Sequence, residues 1–263
     1  MNVSAVVLTK NEEGNIGPCL STLQWVDEII VVDSQSTDNT VAHARALTGR
    51  VYVEPWRGFG PQKNFGIDQA SGKWILIIDA DERVTEELQK EILAVIAPVK
   101  GRSVVGFRIP RRNYFYGSWM KNGGMFPDYQ IRLFMKHVGR YDDTLLHENL
   151  IIQGNLGTLQ SPLDHHSIPS IAHHVRKMQH YTSLAAMEKL KKIQKVSGLT
   201  LMSHHLVILF KTFILKSGWK DGLPGLVAAL FAGMHTFVKY AKAYEMLEIH
   251  PCRSHSSHVS DRL

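Results

Sequence analysis

Three runs of apolar, largely β-branched residues constrain this chain most: Val3-Ser4-Ala5-Val6-Val7-Leu8, Glu28-Ile29-Ile30-Val31-Val32 and Lys73-Trp74-Ile75-Leu76-Ile77-Ile78. Each is short and continuously apolar rather than alternating, which suits a strand buried on both faces of a parallel sheet. Helical spacing separates them, through Ile16, Leu20, Leu23 and Val26, again around Val41–Ala46, and after the last run over Thr85–Ala97. Val51-Tyr52-Val53 supplies a shorter strand in between. Strands alternating with helices predict βαβ crossovers, hence an α/β fold with a mixed, mainly parallel sheet. In open sheets of this kind ligands bind beyond the carboxyl ends of the strands. Asp33 and Asp79 end two of these runs.

Downstream the pattern changes. Short strands are predicted at Val104–Pro110, Gln130–Phe134 and Leu159–Leu163, and helical spacing resumes over 170–196. From 199 to 240 the chain is unusually apolar, but its longest charge-free stretch, Gly222–Val238, contains Pro224, Gly225 and Gly233. A spanning helix wants about 20 apolar residues, so a short, broken, packed or interfacial helix pair is expected instead. The predicted organisation is a first domain over 1–168, in two parts, 1–98 and 99–168. A helical, membrane-associating region over 169–248 and a flexible tail over 249–263 follow.

The chain has 263 residues, 44% of them hydrophobic and 21% charged, which excludes disordered and collagen-like classes. Cys19 and Cys252 cannot make a disulfide framework, and the amino terminus lacks the basic and small-residue marks of a signal peptide. A cytoplasmic protein is expected. The net charge of +6 concentrates between Arg176 and Lys220, where only Glu188 opposes the cations. A basic amphipathic helix ahead of an apolar pair reads as a membrane-surface element. An oligomer interface or a helical lid is the plainer alternative.

Asp79-Ala80-Asp81-Glu82 follows a strand directly. Two carboxylates one residue apart at an exposed strand end suit Mg²⁺ or Mn²⁺ bridging a diphosphate; the same residues also suit an acidic turn capping the next helix. Asp33 precedes the capping run Ser36-Thr37-Asp38, so capping does not explain it. Thr9-Lys10-Asn11-Glu12-Glu13 lies beyond the first strand, beside the same crevice, and His165 follows a strand where it can add a metal ligand or reach a diphosphate.

The ordered set Thr9, Asn11-Glu12, Asp33-Ser34-x-Ser36-Thr37-Asp38-x-Thr40, Gln62-Lys63-Asn64 and Asp79-Ala80-Asp81-Glu82 resembles the nucleotide-sugar half of family 2 glycosyltransferases. Many members read D-D-G-S where this chain has Asp33-Ser34-Gln35-Ser36. Gln130-Ile131-Arg132-Leu133-Phe134, His147-Glu148, His165-His166-Ser167 and Ser217-Gly218-Trp219-Lys220-Asp221-Gly222 are similar to the branch that builds bacterial lipopolysaccharide cores by β-1,4-glucosyl transfer to heptose. The resemblance covers residues 3 to about 243. It implies a Rossmann-like GT-A catalytic domain over 1–168, with 1–98 the nucleotide-sugar half and 99–168 the acceptor half, inverting transfer of a hexose, glucose foremost, from a UDP-sugar to a lipid-linked saccharide, and Mg²⁺ or Mn²⁺. It places the enzyme on the inner face of a bacterial membrane. Asp33 would contact the base, Asp79 the ribose and Lys63 the sugar or phosphates. Thr9, Asn11, Glu12 and Arg132 would complete the substrate site. Asp81, with His165, would hold the metal, and Glu148 would be the catalytic base. Rival readings keep the fold with a polyprenyl-phosphate or peptide acceptor, make the chain a nucleotidyltransferase, or make it a non-catalytic basic membrane or nucleic-acid binder. No nucleic-acid motif is visible, and no glycine-rich phosphate cradle follows the first strand.

Overall fold

The computed structural model describes residues 3–97, 103–142 and 149–249. Glu148 and the tail from 250 onward lie outside the described residues. The chain divides into two compact units, Met1–Tyr114 with Phe126–Ser167, and Phe115–Met125 with Ile168–Leu263.

In the first unit the apolar runs become β1 (Val3–Thr9), β2 (Glu28–Asp33), β3 (Val51–Val53) and β4 (Trp74–Asp79), joined by α1 (Glu13–Ser21), α2 (Thr40–Arg45) and α3 (Phe59–Gln69). They are followed by β5 (Glu82–Val84), α4 (Glu86–Ile96) and β6 (Val104–Phe115). β1 pairs in parallel with both β2 and β4, and β2 with β3. After β7 (Ser118–Trp119), which belongs to the second unit, come β8 (Asp128–Met135), β9 (Gly139–Tyr141), β10 (Leu150–Ile152), β11 (Asn155–Thr158) and β12 (Leu163–Ile168). The main sheet runs β3-β2-β1-β4-β8-β6-β12-β5, with β8 antiparallel to both β4 and β6. β1 is buried along its whole length, and two apolar layers cover the two sides of the sheet. One holds Val7, Ile16, Leu76 and Leu88; the other holds Val6, Ile30, Ile77 and Phe134.

Three local expectations are corrected. α1 stops at Ser21, although Leu23 is buried and Val26 packs on the same core, because the chain continues through short turns (Leu23 N–H to Leu20 O and Val26 N–H to Leu23 O, both 3.1 Å). Such turns keep near-helical side-chain spacing without an α-helix. Leu159–Leu163 is not a strand: Pro162, which has no N–H to give, separates β11 from β12. The third is α3, absent from the sequence reading. Its buried residues are Gly60, Gln62, Lys63, Asn64, Gly66 and Ile67, so it carries almost no apolar stripe to detect.

In the second unit lie α5 (Ile171–Leu190), α6 (Gly198–Phe210) with a π-helical extension over Lys211–Leu215, a 3₁₀ turn (Gly218–Asp221), and α7 (Gly222–Tyr244) with a π turn over Glu245–Ile249. Ser170 and Ser197 cap α5 and α6 by accepting N–H bonds from His173 and Thr200. α5 ends short of residue 196. α7 is continuous, against the expectation of a broken segment. Pro224 stands in its first turn, where a missing N–H costs nothing. Gly233 lets α6 approach; a Cβ there would sit 3.1 Å from the His205 carbonyl oxygen. Gly198–Leu215 and Gly218–Ile249 are long and apolar enough to cross a membrane by length and composition.

Candidate functional site

Register assembles the site. Thr9 stands opposite Asp33 across β1–β2, and Leu8 opposite Asp79 across β1–β4, so Thr9, Asp33 and Asp79 end three adjacent parallel strands. Asp33 is fully buried and accepts the Ser36 N–H (2.8 Å) and the Ser36 hydroxyl, folding the loop over itself. Gln35 takes φ +58° there, a left-handed conformation at the D-D-G-S glycine position. Asn11 and Glu12 lie in the neighbouring loop. Asn11 accepts the Thr37 N–H (2.8 Å), and Glu12 caps α1, its carbonyl taking the Ile16 N–H while its own N–H donates to the Thr40 hydroxyl (2.7 Å). Both residues thus brace the rim of the crevice.

α3 delivers Lys63. Gly66 lets the helix lie against the sheet: a Cβ there would sit 2.3 Å from Val6 Cγ1. Gln62 donates to the Ser34 hydroxyl (3.0 Å), and Asn64 exchanges bonds with the Tyr141 backbone (2.9 and 3.0 Å). Lys63 is buried, its ammonium 4.8 Å from the Tyr141 ring centroid.

Arg132, on β8, donates to both Asp79 and Glu82 at 2.5 Å. Glu82 is fully buried and also accepts the Asp79 N–H (3.0 Å), with Arg111 at 3.5 Å. Burial opposes the Asp79 charge, but the Arg132 guanidinium and then Lys63 overcome it and hold the carboxyl well below the ordinary range. Burial likewise opposes the Arg132 charge and is overcome by Asp79 and Glu82, which keep the guanidinium firmly protonated.

β12 pairs antiparallel with β5, placing His165 opposite Glu82. His165 Nε2 lies 3.3 Å from Asp81 Oδ2, and its Nδ1 is 2.7 Å from Asn113 Oδ1. Among the described residues no group of three or more His, Cys, Asp or Glu side chains comes together to hold a metal. Asp81 and His165, side by side, would offer a metal one hard oxygen and one imidazole. That set fits a divalent cation that takes its other ligands from a diphosphate and water. Buried atoms point to a polar ligand as well: Thr9 Oγ1 and Arg132 Nε have no hydrogen-bond partner among the described residues.

One compact unit thus brings together Thr9, Asn11, Glu12, Asp33, Lys63, Asp79, Asp81, Arg132 and His165. The sequence reading left Glu82, Arg111 and Asn113 out of its site. Glu82 stood in the quoted acidic motif, but only the register of β8 and β12 shows that it anchors Arg132. Arg111 and Arg112 pair with Asp128 (2.6 Å) and Asp164 (2.9 Å).

The sequence signature described as glycosyl transferase family 2 matches residues 4–166. The chain is 29% identical to the lipopolysaccharide core biosynthesis glycosyltransferase LpsC of Rhizobium meliloti, over 92% of each chain. It is 31% identical to an uncharacterized glycosyltransferase of Rickettsia felis, over 93% of this chain and 90% of that one. Among solved structures, glucosyl-3-phosphoglycerate synthase of Mycobacterium tuberculosis, in complex with Mg²⁺ and uridine diphosphate, matches over 44% of each chain at 26% identity with a TM-score of 0.35. With the match to the family signature covering the strand-end carboxylates, Lys63, Arg132 and His165 alike, the chain belongs to glycosyl transferase family 2.

Proposed function

We propose that this family 2 glycosyltransferase moves a hexose, glucose foremost, from a UDP-sugar to a lipid-linked saccharide, with inversion, on the inner face of a bacterial membrane. Inner-core heptose of lipopolysaccharide is the proposed acceptor; the similarity to LpsC over nearly the whole chain supports that class. The observation that carries the donor half is the convergence of Thr9, Asp33 and Asp79 on adjacent strand ends beside Asp81 and His165. A charged nucleotide diphosphate needs hydrogen-bond acceptors for its base and ribose and cations for its phosphates, and the crevice offers both.

In this reading Asp33 receives the uracil imide N–H and Asp79 the ribose hydroxyls. Arg132 keeps Asp79 ionised, so it accepts and does not donate at neutral pH. Lys63 faces the phosphates. Asp81 and His165 would hold Mg²⁺ or Mn²⁺, which when bound supplies a Lewis acid for the charge growing on the leaving diphosphate. Glu148 takes the proton from the acceptor hydroxyl as its oxygen bonds to the anomeric carbon and the bond to UDP breaks. Such a base contributes roughly 10²–10⁴-fold in rate.

Calorimetric titration with UDP-glucose, UDP-galactose, UDP-GlcNAc and GDP-mannose, with and without Mn²⁺, tests the donor half. Metal-dependent binding of one UDP-sugar, lost in Asp81→Ala, is expected. Equal binding with and without metal, or an unaffected Asp81→Ala, would remove Asp81 from its role. Glu148→Gln is expected to keep donor binding and lose transfer.

A further inference from the structure

α6 and α7 leave apolar surface uncovered. Leu199, Leu206, Phe210 and Leu215 are 79, 53, 54 and 68% exposed, Leu223 and Leu230 are 71 and 45% exposed, and α6 buries no residue fully. By length and composition the pair passes as a membrane-crossing hairpin. Two observations argue against crossing.

The first is the tip, residues 216–221, which is tied to the segment 115–125. Asn122 donates to Asp221 twice, from its backbone at 2.8 Å and its side chain at 2.7 Å, and the Gly123 N–H bonds the Lys216 carbonyl at 2.9 Å. Gly123 and Gly124 adopt φ +67° and +81°, and Gly124 lies against the Lys216 side chain. Asn122 follows the end of β6 at Phe115 by seven residues and precedes the start of β8 at Asp128 by six. Fully extended, seven residues reach about 25 Å, short of the roughly 30 Å hydrocarbon core. A strand of an open sheet cannot enter that core. The tip is thus bonded to a connection too short to cross that core.

The second is α5. Lys242 on α7 donates to the Gln179 carbonyl (2.7 Å) and to the Thr182 and Ser183 hydroxyls (2.9 and 2.8 Å), so α5 packs along the C-terminal half of α7. If α7 crossed a bilayer, α5 would carry Arg176, Lys177, Gln179 and His180 into hydrocarbon.

We propose that the α6–α7 hairpin docks in the plane of an anionic phospholipid leaflet without crossing it. This deepens, and rests on, the membrane-surface reading above. The apolar stripes enter the acyl boundary. Lys121, Lys211, Lys216 and Lys220, all exposed around the tip, face the headgroups, and there Asp221 is held by Asn122. Trp219, 54% exposed with the Lys220 ammonium 5.6 Å from its ring, is an amphipathic side chain suited to the interface. Charge complementarity decides the occupant: a second copy of this chain would bring four more lysines against these four.

The test uses the full chain with phosphatidylglycerol/phosphatidylcholine vesicles, with pure phosphatidylcholine vesicles, and in cells. Sedimentation with the anionic vesicles is expected, weakened about 25-fold in Lys211→Ala/Lys220→Ala, a factor of about five for each lysine. Phe210→Ser/Leu215→Ser is expected to abolish it. In a Cys252→Ser background, a cysteine introduced by Lys220→Cys should react with a membrane-impermeant maleimide in inverted inner-membrane vesicles and not in intact spheroplasts. Reaction in spheroplasts would overturn the in-plane arrangement while leaving membrane association standing. Equal sedimentation with both lipid compositions would overturn the headgroup contact. A dimer in buffer that Phe210→Ser/Leu215→Ser dissociates, with no sedimentation, would assign the face to a second copy. Donor titration in buffer reads the glycosyltransferase half independently of all three.

Discussion

At the scale of single residues the decisive group is Arg132. It is almost wholly buried and bonds Asp79 and Glu82 at once, so its loss strands a fully buried carboxylate. Removing one partner of a buried ion pair costs about 3–5 kcal/mol, far more than the pair itself adds. Arg132→Met is therefore expected to lower stability by that order in urea unfolding, with Glu82→Gln in the same chain recovering part of the loss. Arg132→Lys keeps the charge but has no fork to span both acids, and should fall between. Asp79 adds a pH signature. Its folded pKa lies below the unfolded value near 3.8, so its contribution is complete above about pH 4 and is lost as pH falls below it. Unfolding free energies at pH 5 and pH 3 should differ by more in the wild type than in Arg132→Met. The acidic motif was legible in the sequence. Its division of labour was not, because three neighbouring carboxylates look alike until Arg132 arrives from a strand 50 positions away.

At the scale of elements, glycine separates what spacing reveals from what packing requires. Gly14 in α1 and Gly66 in α3 are both helical, yet a Cβ at Gly14 meets nothing within 4 Å, whereas one at Gly66 meets Val6 at 2.3 Å and Val32 at 3.1 Å. Gly14→Ala is expected to stabilise the protein by about 0.5–1 kcal/mol through helix propensity and a less free unfolded chain. Gly66→Ala is expected to destabilise it by about 1–3 kcal/mol and to weaken donor binding by shifting Lys63. Thermal melts of the two variants, with a donor titration of the second, check this. α1, α2 and α4 show in the sequence through apolar spacing or a cap; Thr85, for instance, accepts the Leu88 N–H. α3 does not show, because the helix that presents Lys63 packs through glycines and amides.

At the scale of the whole molecule the two compact units carry separate acid-sensitive groups. In the second unit His174 stacks on Phe231 (centroids 3.9 Å apart) and bonds the Tyr116 hydroxyl. Burial, then Lys177, His173 and His235, push its pKa from 6.5 down to about 4. The folded state thus prefers the neutral ring, and stability drains as pH falls from about 6.5 towards 4. Full linkage would exceed 3 kcal/mol, but the ring is only half buried, so about 1–2 kcal/mol is expected. The first unit loses the Asp79 contribution only below about pH 4. Hydrogen exchange at pH 7, 5 and 3 should show α5 losing more protection by pH 5 than β1 and β4 do. In His174→Phe the earlier loss should shrink, leaving the part that the half-buried His235 contributes.

The sequence by itself determined the parallel strands, because their apolar runs have no other way to be buried. It determined Asp33 and Asp79 at strand ends, because a carboxylate terminates such a run. It also determined the family, through the order of its motifs. Only the tertiary structure decided the rest. Strand register set Thr9 beside Asp33 and His165 beside Asp81, since pairing partners 24 and 84 residues apart leave no local trace. α7 stays whole because Pro224 falls in its first turn, while Gly225 and Gly233 stand where a Cβ would meet neighbouring backbone. The tip of the last hairpin is held by Asn122, a bond between residues 99 positions apart that no periodicity encodes.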